Sequence, residues 1–351
     1  MTTEQNRTEQ NRTECYGAID KYILFGGGSL LIFTAKRLKG LGLQVFVVTS
    51  ERHSKEIILV GSVENTLLGW LDNEQIECIV SKDITTDNKV IGSISDSTIG
   101  LSFGAAWIFK KEFINRFHGN LLNLHGARLP QNRGGGGFSW RIMRGERIGI
   151  SLIHKIDPRV DTGDIVFFKD YIYPINCRTP LDYQKYSIDK YKKLLDTFFD
   201  KVRNSESFNI STQQEYFSSY WPRLSTDTHG FIDWNWQLTD IEKFVCAFDE
   251  PYAGASTFIG DNHVRLKECY SWSDDGIFHP FQKGIIYRKN NDSVFVATEH
   301  GSLIVNRVLD EQAKDIKQQL RVGDRFYTPK KLIENAVQYR AIYTPTGLKK
   351  F

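Results

Sequence analysis

Short apolar runs alternate with amphipathic stretches through the first half of the chain. Lys21–Phe25 (KYILF), Gln44–Thr49 (QVFVVT), Glu77–Val80 (ECIV), Thr98–Phe103 (TIGLSF) and Leu121–His125 (LLNLH) read as buried strands. Between the first two, Gly26–Gly28 leads into an apolar-periodic helix from about Ser29 to Lys39, and Gly40 and Gly42 end it. Strand, glycine loop, helix and strand make a right-handed βαβ unit on a parallel sheet. Val63–Asp72 reads as a further helix. The alternation predicts an α/β fold, a doubly wound, mostly parallel, Rossmann-like sheet. A helix at Ser139–Arg144, strands at Ile148–Ile153 and Asp164–Lys169, and one long amphipathic helix, Pro180–Asn204, complete that unit.

The pattern then changes. Asn204–His229 is polar and reads as a linker. After a helix at about Thr239–Phe248 come short strands: Ser256–Ile259, Val264–Tyr270, Gly284–Lys289, Ser293–Thr298 and Ser302–Val308. Asn290–Asp292 and His300–Gly301 supply turns between them. That pattern predicts a small β-rich barrel, like those that bind oligonucleotides. The expected division is a disordered polar tail (1–18), the α/β catalytic domain (19–204), the linker (205–229) and the C-terminal β-rich domain with its tail (230–351).

Composition narrows the function. Of 351 residues, 40% are hydrophobic and 25% charged, enough for a large core without staples. The net charge of +3 is not concentrated in any segment, so no nucleic-acid or membrane partner is expected. Cys15, Cys78, Cys177, Cys246 and Cys269 are scattered, with no CxxC pair. They are expected to be free thiols in a reducing compartment, and no thiolate metal site is indicated. The N-terminal repeat TEQNRTEQNRTE lacks the apolar core of a signal peptide, and no run reaches membrane-spanning length. A cytoplasmic location is the expectation. The oligomeric state is open, a two-fold homodimer being common at this size.

Candidate chemistry concentrates in NLLNLHGARLPQNRGGGGFSW. Asn123 and His125 alternate with Leu124, so both polar side chains leave one face at a strand's carboxyl end. Asp161 follows 36 positions after His125, in a loop between Pro158 and Gly163. An amide, an imidazole and a carboxylate suit acyl transfer to an amine. The Asn123 N–H can hydrogen-bond an oxyanion. His125 can take the amine's proton, or stabilise the oxyanion when charged. Asp161 can hold the imidazole or relay a proton through water. On its own, an Asn-x-His pair is more often structural.

The context is more specific. Asn123-Leu124-His125-Gly126-Ala127-Arg128-Leu129-Pro130, then Arg133-Gly134-Gly135, then Val160-Asp161-Thr162-Gly163-Asp164-Ile165 occur in order. The chain thereby resembles the formyltransferase family, which includes methionyl-tRNA formyltransferase, glycinamide ribonucleotide transformylase and the sugar N-formyltransferases. Asn123, His125 and Asp161 match the family's catalytic trio. The resemblance implies 10-formyltetrahydrofolate as donor and no metal. It also implies a pterin pocket made by loop backbone at Phe103, Gly104, Ala105, Ala106 and Trp107, and at Asp157, Arg159, Val160, Thr162 and Gly163.

Tyr220-Trp221-Pro222-Arg223-Leu224, Gly230–Trp236 and Tyr252–Thr257 resemble the sugar branch. That branch formylates an amine on a nucleotide-linked amino sugar. The expected acceptor is a dTDP-linked amino-dideoxyhexose destined for surface polysaccharide such as lipopolysaccharide O-antigen. Methionyl-tRNA is the alternative, but it would call for a positive surface that the second half lacks. Arg133 and Arg223 are candidate phosphate partners. Gly134, Gly135, Gly136 and Gly137 let backbone approach a ligand ahead of a helix from Phe138. Trp107, Tyr220 and Trp221 can stack on a base or sugar, whereas Trp234 and Trp236 read as core or interdomain anchors.

Two rival readings come from other classes. Gly26-Gly27-Gly28 after a strand, with Glu51 downstream, partly fits a dinucleotide fingerprint and hence a nicotinamide-dependent oxidoreductase, but Leu31 stands where the third glycine belongs. A non-catalytic carbohydrate- or nucleotide-binding module is the other. A zinc site from His118, His125 and His154 has irregular spacing and is not expected.

Overall fold

The computed structural model describes residues 12–135, 137–344 and 347–348. Its larger sheet has seven strands, in the order Ile165–Ile172, Ile148–Lys155, Leu121–His125, Thr98–Phe103, Lys21–Gly26, Gln44–Thr49 and Glu77–Val80. The last five run parallel, and Ile148–Lys155 is antiparallel to both of its neighbours. Ile23, Leu24 and Phe25 are fully buried because helices cover both faces. The first strand of this sheet, Lys21–Gly26, lies in its middle, and the chain winds from it first one way, then the other. The resulting switch point lies between Lys21–Gly26 and Thr98–Phe103, so Gly26, Phe103 and His125 end along one edge, where α/β sheets take ligands.

The helix Pro180–Arg203 begins with a capping box between Thr179 and Asp182 and has Pro180 in its first turn. Its later turns bury Leu194, Leu195, Phe198, Phe199 and Val202 in the core under the sheet. Among the described residues, no helix is long and apolar enough to cross a membrane.

The C-terminal sheet has six antiparallel strands, ordered Ile286–Lys289, Val294–Thr298, Gly301–Leu309, Asn262–Trp272, Ala255–Ile259 and Phe326–Tyr327. A bridge between Ile285 and Arg325 ties its two edges, with Phe326 N–H donating to Gly284 O at 2.8 Å, so the strip curls into a small barrel. Leu238–Phe248 packs across it. Trp234 is a core anchor, stacked on Phe326 at 5.6 Å and donating to Thr257 Oγ1; Trp236 lies against Phe244.

Three places differ from the sequence reading. Val63–Thr66 pairs with Ile57–Val60 as a hairpin, and the helix starts only at Leu67, where Thr66 accepts the Gly69 N–H at 3.0 Å. Order begins inside the expected tail: Arg12–Glu14 pairs with Phe208–Ile210, and Tyr16 is buried against Phe198 and Phe208. Residues 1–11 of that tail lie outside the described residues. The stretch read as a linker is woven into the α/β half. Ser211 bridges Ile165, and Tyr220–Trp221 pairs in parallel with Arg133–Gly134. Strands this short carry no readable periodicity.

Candidate active site

The trio converges. Asn123 and His125 sit at the end of Leu121–His125, and Asp161 reaches them from the loop after Ile148–Lys155. Asp161 has a left-handed φ of 55°, which non-glycine residues rarely adopt. One of its carboxylate oxygens accepts the Gly134 N–H at 2.9 Å; the other stands 3.9 Å from His125 Nδ1 and 3.7 Å from His154 Nε2.

His154 is the member that sequence reasoning missed as part of this site. Strand register places it directly opposite Asn123, so the two side chains share a face. Its Nδ1 is 2.8 Å from the Lys155 carbonyl, which only accepts, so Nδ1 carries the proton. Nε2 is therefore a lone pair, and only the NH2 end of Asn123, 3.0 Å away, can face it. The carbonyl of Lys155 thus fixes the orientation of the Asn123 amide through one imidazole. His125 is tied in the same manner: Nε2–H donates to Asn132 O at 3.1 Å, leaving Nδ1 toward Asp161.

His154 is 2% exposed. Burial, helped by the nearby His125, pushes its pKa down from 6.5 to about 4 against the pull of Asp161 and Asp157. The unfolded chain binds a proton below pH 6.5 that the folded chain refuses until about pH 4, so this contribution is complete above 6.5 and fades as acid is added. Chemical denaturation of His154→Gln should show a flatter loss of stability across that window than wild type; parallel curves would contradict the assignment.

Two cavities meet at this point. One, of about 610 Å3, is lined by Gly104, Ala105, Ala106, Trp107, Asn123, His125, His154, Asp157, Arg159, Val160, Asp161 and Tyr220. Of the expected donor residues, seven line it. Phe103 faces the other cavity, Thr162 Oγ1 donates to Asp157 within the loop, and Gly163 lies against the Lys155 backbone. The second cavity, about 460 Å3, is lined by Gly27, Gly28, Ser29, Gly126, Gly137, Phe138, Trp140, Arg141, Gln184, Tyr191 and Trp221. Gly104, Leu124, His125, Gly134, Gly135 and Arg223 border both.

The expected acceptor residues divide accordingly. Arg133, Gly134, Gly135, Gly137, Phe138, Trp221 and Arg223 line the second cavity; the helix starts at Gly137, and Gly136 lies outside the described residues. Tyr220 faces the first cavity instead, with the Arg340 guanidinium 5.7 Å from its ring centroid. Arg133 is 6% exposed and spends its fork on Gln213 Oε1 and Glu215 Oε2. The Gln213 amide in turn donates to the carbonyls of Asp161 and Gly163, at 3.0 and 2.7 Å. Arg133 is therefore a strut that holds the Asp161 loop through Gln213. That short polar stretch gave no signal of the role, because any Gln or Glu in it looks like solvated linker.

His118 stands on the surface beside Asp96, outside the group formed by His125, His154 and Asp161. Ligand atoms of His125, His154 and Asp161 do lie within 4.8 Å of one another. A cation there would have to displace the Asn123 hydrogen bond on His154 Nε2. Gly26–Gly28 makes a close strand-to-strand approach: a Cβ on Gly26 would sit 2.3 Å from Phe103 O.

Residues 83–177 match the family described as "Formyl transferase", and residues 225–321 match "Formyl transferase, C-terminal domain". Methionyl-tRNA formyltransferase of Pseudothermotoga lettingae is 26% identical over 269 residues, 70% of this chain and 83% of that protein. Among solved structures, the N-formyltransferase from Helicobacter canadensis, in complex with folinic acid and dTDP-3-aminofucose, aligns with a TM-score of 0.64 at 18% identity. That alignment covers 83% of this chain and 99% of the other. Methionyl-tRNA formyltransferase from Clostridium thermocellum aligns with a TM-score of 0.50 at 18% identity, over 73% and 95% of the two chains. The two matched segments fall in order on the two sheets described above, the first contains the converged trio, and the chain belongs to the formyltransferase family.

Proposed function

We propose that this enzyme transfers the formyl group of 10-formyltetrahydrofolate to the amine of a nucleotide-linked amino sugar. The supporting observation is one histidine, His125, in the wall between two cavities, with Asn123 and Asp161 on the larger one. The larger cavity takes the folate and the smaller one the acceptor, so the formyl carbon and the amine meet at His125. The amine nitrogen bonds to the formyl carbon, whose C=O electrons move to oxygen. The free N–H of Asn123 stabilises that oxyanion. The proton leaving the amine goes to His125 Nδ1, the ring nitrogen that faces the Asp161 carboxylate. Collapse breaks the bond to the donor nitrogen, which takes the proton. The products are a formamide and tetrahydrofolate.

The sugar reading draws support from the smaller cavity, whose volume of about 460 Å3 and walls of Phe138, Trp140 and Trp221 suit a compact ring. Folate and a dTDP-amino sugar are what the Helicobacter canadensis neighbour holds. Methionyl-tRNA is the second reading, favoured by the curated relative. Incubation with the donor and a panel of dTDP-, UDP- and GDP-amino sugars, beside charged initiator tRNA, decides between them by mass. A gain of one formyl group on a nucleotide sugar is expected, undiminished by a metal chelator. Formylation of tRNA alone would overturn the sugar reading.

A further inference from the structure

A buried cation lines the smaller cavity with no counter-charge among the described residues. Arg141, on the helix Gly137–Met143, is 1% exposed. Its guanidinium makes one long contact, Nη1 to Tyr173 Oη at 3.5 Å, while Nε and Nη2 have no hydrogen-bond partner. Arg133 and Arg144, close in sequence, are each paired, to Glu215 and Glu146. No ion pair among the described residues includes Arg141.

A guanidinium stays protonated at any physiological pH. Stranding one unpaired in a protein interior is strongly unfavourable, so a fold does not keep it there for stability. The nearby phenols cannot compensate. Burial holds Tyr173 and Tyr191 well above the usual tyrosine range, and both remain neutral. The same cavity is bordered by Gly28 and Ser29, the amino end of the helix Ser29–Gly40, which has no side-chain cap. That end carries unsatisfied N–H groups and the positive pole of a twelve-residue helix. Arg141 and this helix end therefore add positive charge to a cavity that Arg223 and His125 also line.

We propose that Arg141 is the counter-ion of the acceptor: it binds phosphoryl oxygens in the smaller cavity and selects acceptors that carry them. This rests on reading that cavity as the acceptor side. The role is recognition rather than chemistry, because nothing places Arg141 beside the reacting atoms.

Calorimetric titration of the full chain with inorganic pyrophosphate, dTDP, thymidine and glucuronate tests it. Pyrophosphate and dTDP should bind, and thymidine and glucuronate should bind at least about tenfold more weakly. Arg141→Met should lose at least about tenfold in pyrophosphate affinity, a bidentate charge-assisted contact being worth about that much. Its ligand-free Tm should equal or exceed wild type, since an unpaired buried charge is removed. Arg141→Lys should retain part of the affinity, and both variants should bind 5-formyltetrahydrofolate as wild type does. Wild type failing to bind pyrophosphate, glucuronate binding in its place, or Arg141→Met binding pyrophosphate normally would overturn the proposal. So would an Arg141→Met protein that melts far below wild type or does not fold, because Arg141 would then be a structural residue. The two readings fail separately. Formylation of a nucleotide sugar with equal efficiency by wild type and Arg141→Met removes only the Arg141 role. Pyrophosphate binding without formylation of any nucleotide sugar removes only the sugar acceptor.

Discussion

Asn123→Ala is expected to lower turnover roughly 10²-fold or more, the usual cost of one lost oxyanion donor. The donor's KM should change little, because the contact forms only as charge develops on oxygen. The structure adds a reason to expect the larger end of the range. The Asn123 amide does not stand alone but is set by His154, and His154 by the Lys155 carbonyl. Removing the amide both deletes the donor and leaves the buried Nε2 of His154 unmatched. Asn123→Asp, nearly the same in shape, should be no better, since it offers no N–H and puts a carboxylate against a lone pair. His125→Ala and Asp161→Ala should each cost more than about tenfold, as each removes part of the proton path. Single-turnover formyl transfer measures all four, and near-normal rates in the three alanine variants would refute the roles given to these residues.

Gly134→Ala should be nearly as damaging, by a different route. Gly134 has a φ of +96°, a region costly for any side chain, and an added Cβ would lie 2.3 Å from Trp221 O. Backbone must move, and the backbone in question is the two-residue pairing of Arg133–Gly134 with Tyr220–Trp221. The Gly134 N–H that holds Asp161 moves with it. A stability loss on the order of 3 kcal/mol and a rate loss of about 10²-fold are expected together, read by denaturant melts and by the same transfer assay. A variant that folds normally and works normally would show that Asp161 does not depend on this amide.

Much of the fold was legible because long periodic segments announce themselves. The buried strands, the capped helix Pro180–Arg203 and the two halves follow from runs of like residues and the punctuation between them. The Asn123/His125 pair was legible because alternation on a strand end is a local property. What stayed hidden is what only register and long-range pairing create. His154 is one more residue in an apolar strand until that strand is laid antiparallel against Leu121–His125. Arg133, read as a phosphate partner, does border the smaller cavity, but its ties to Gln213 and Glu215, eighty or more residues on, appear only once the chain is folded. Val63–Asp72 has one continuous apolar pattern, and only the Thr66 cap shows where strand ends and helix begins.

The path of residues 208–221 has a practical consequence for anyone building hybrids between relatives. Phe208–Ile210, Gln213 and Tyr220–Trp221 contact the α/β half, so a crossover placed at the polar stretch after Arg203 would transplant part of one parent's catalytic scaffolding onto the other's loop. A junction after Trp221, ahead of the barrel, keeps each half with its own supports. Hybrids cut at the earlier point should fold their two sheets and still lack a correctly seated carboxylate.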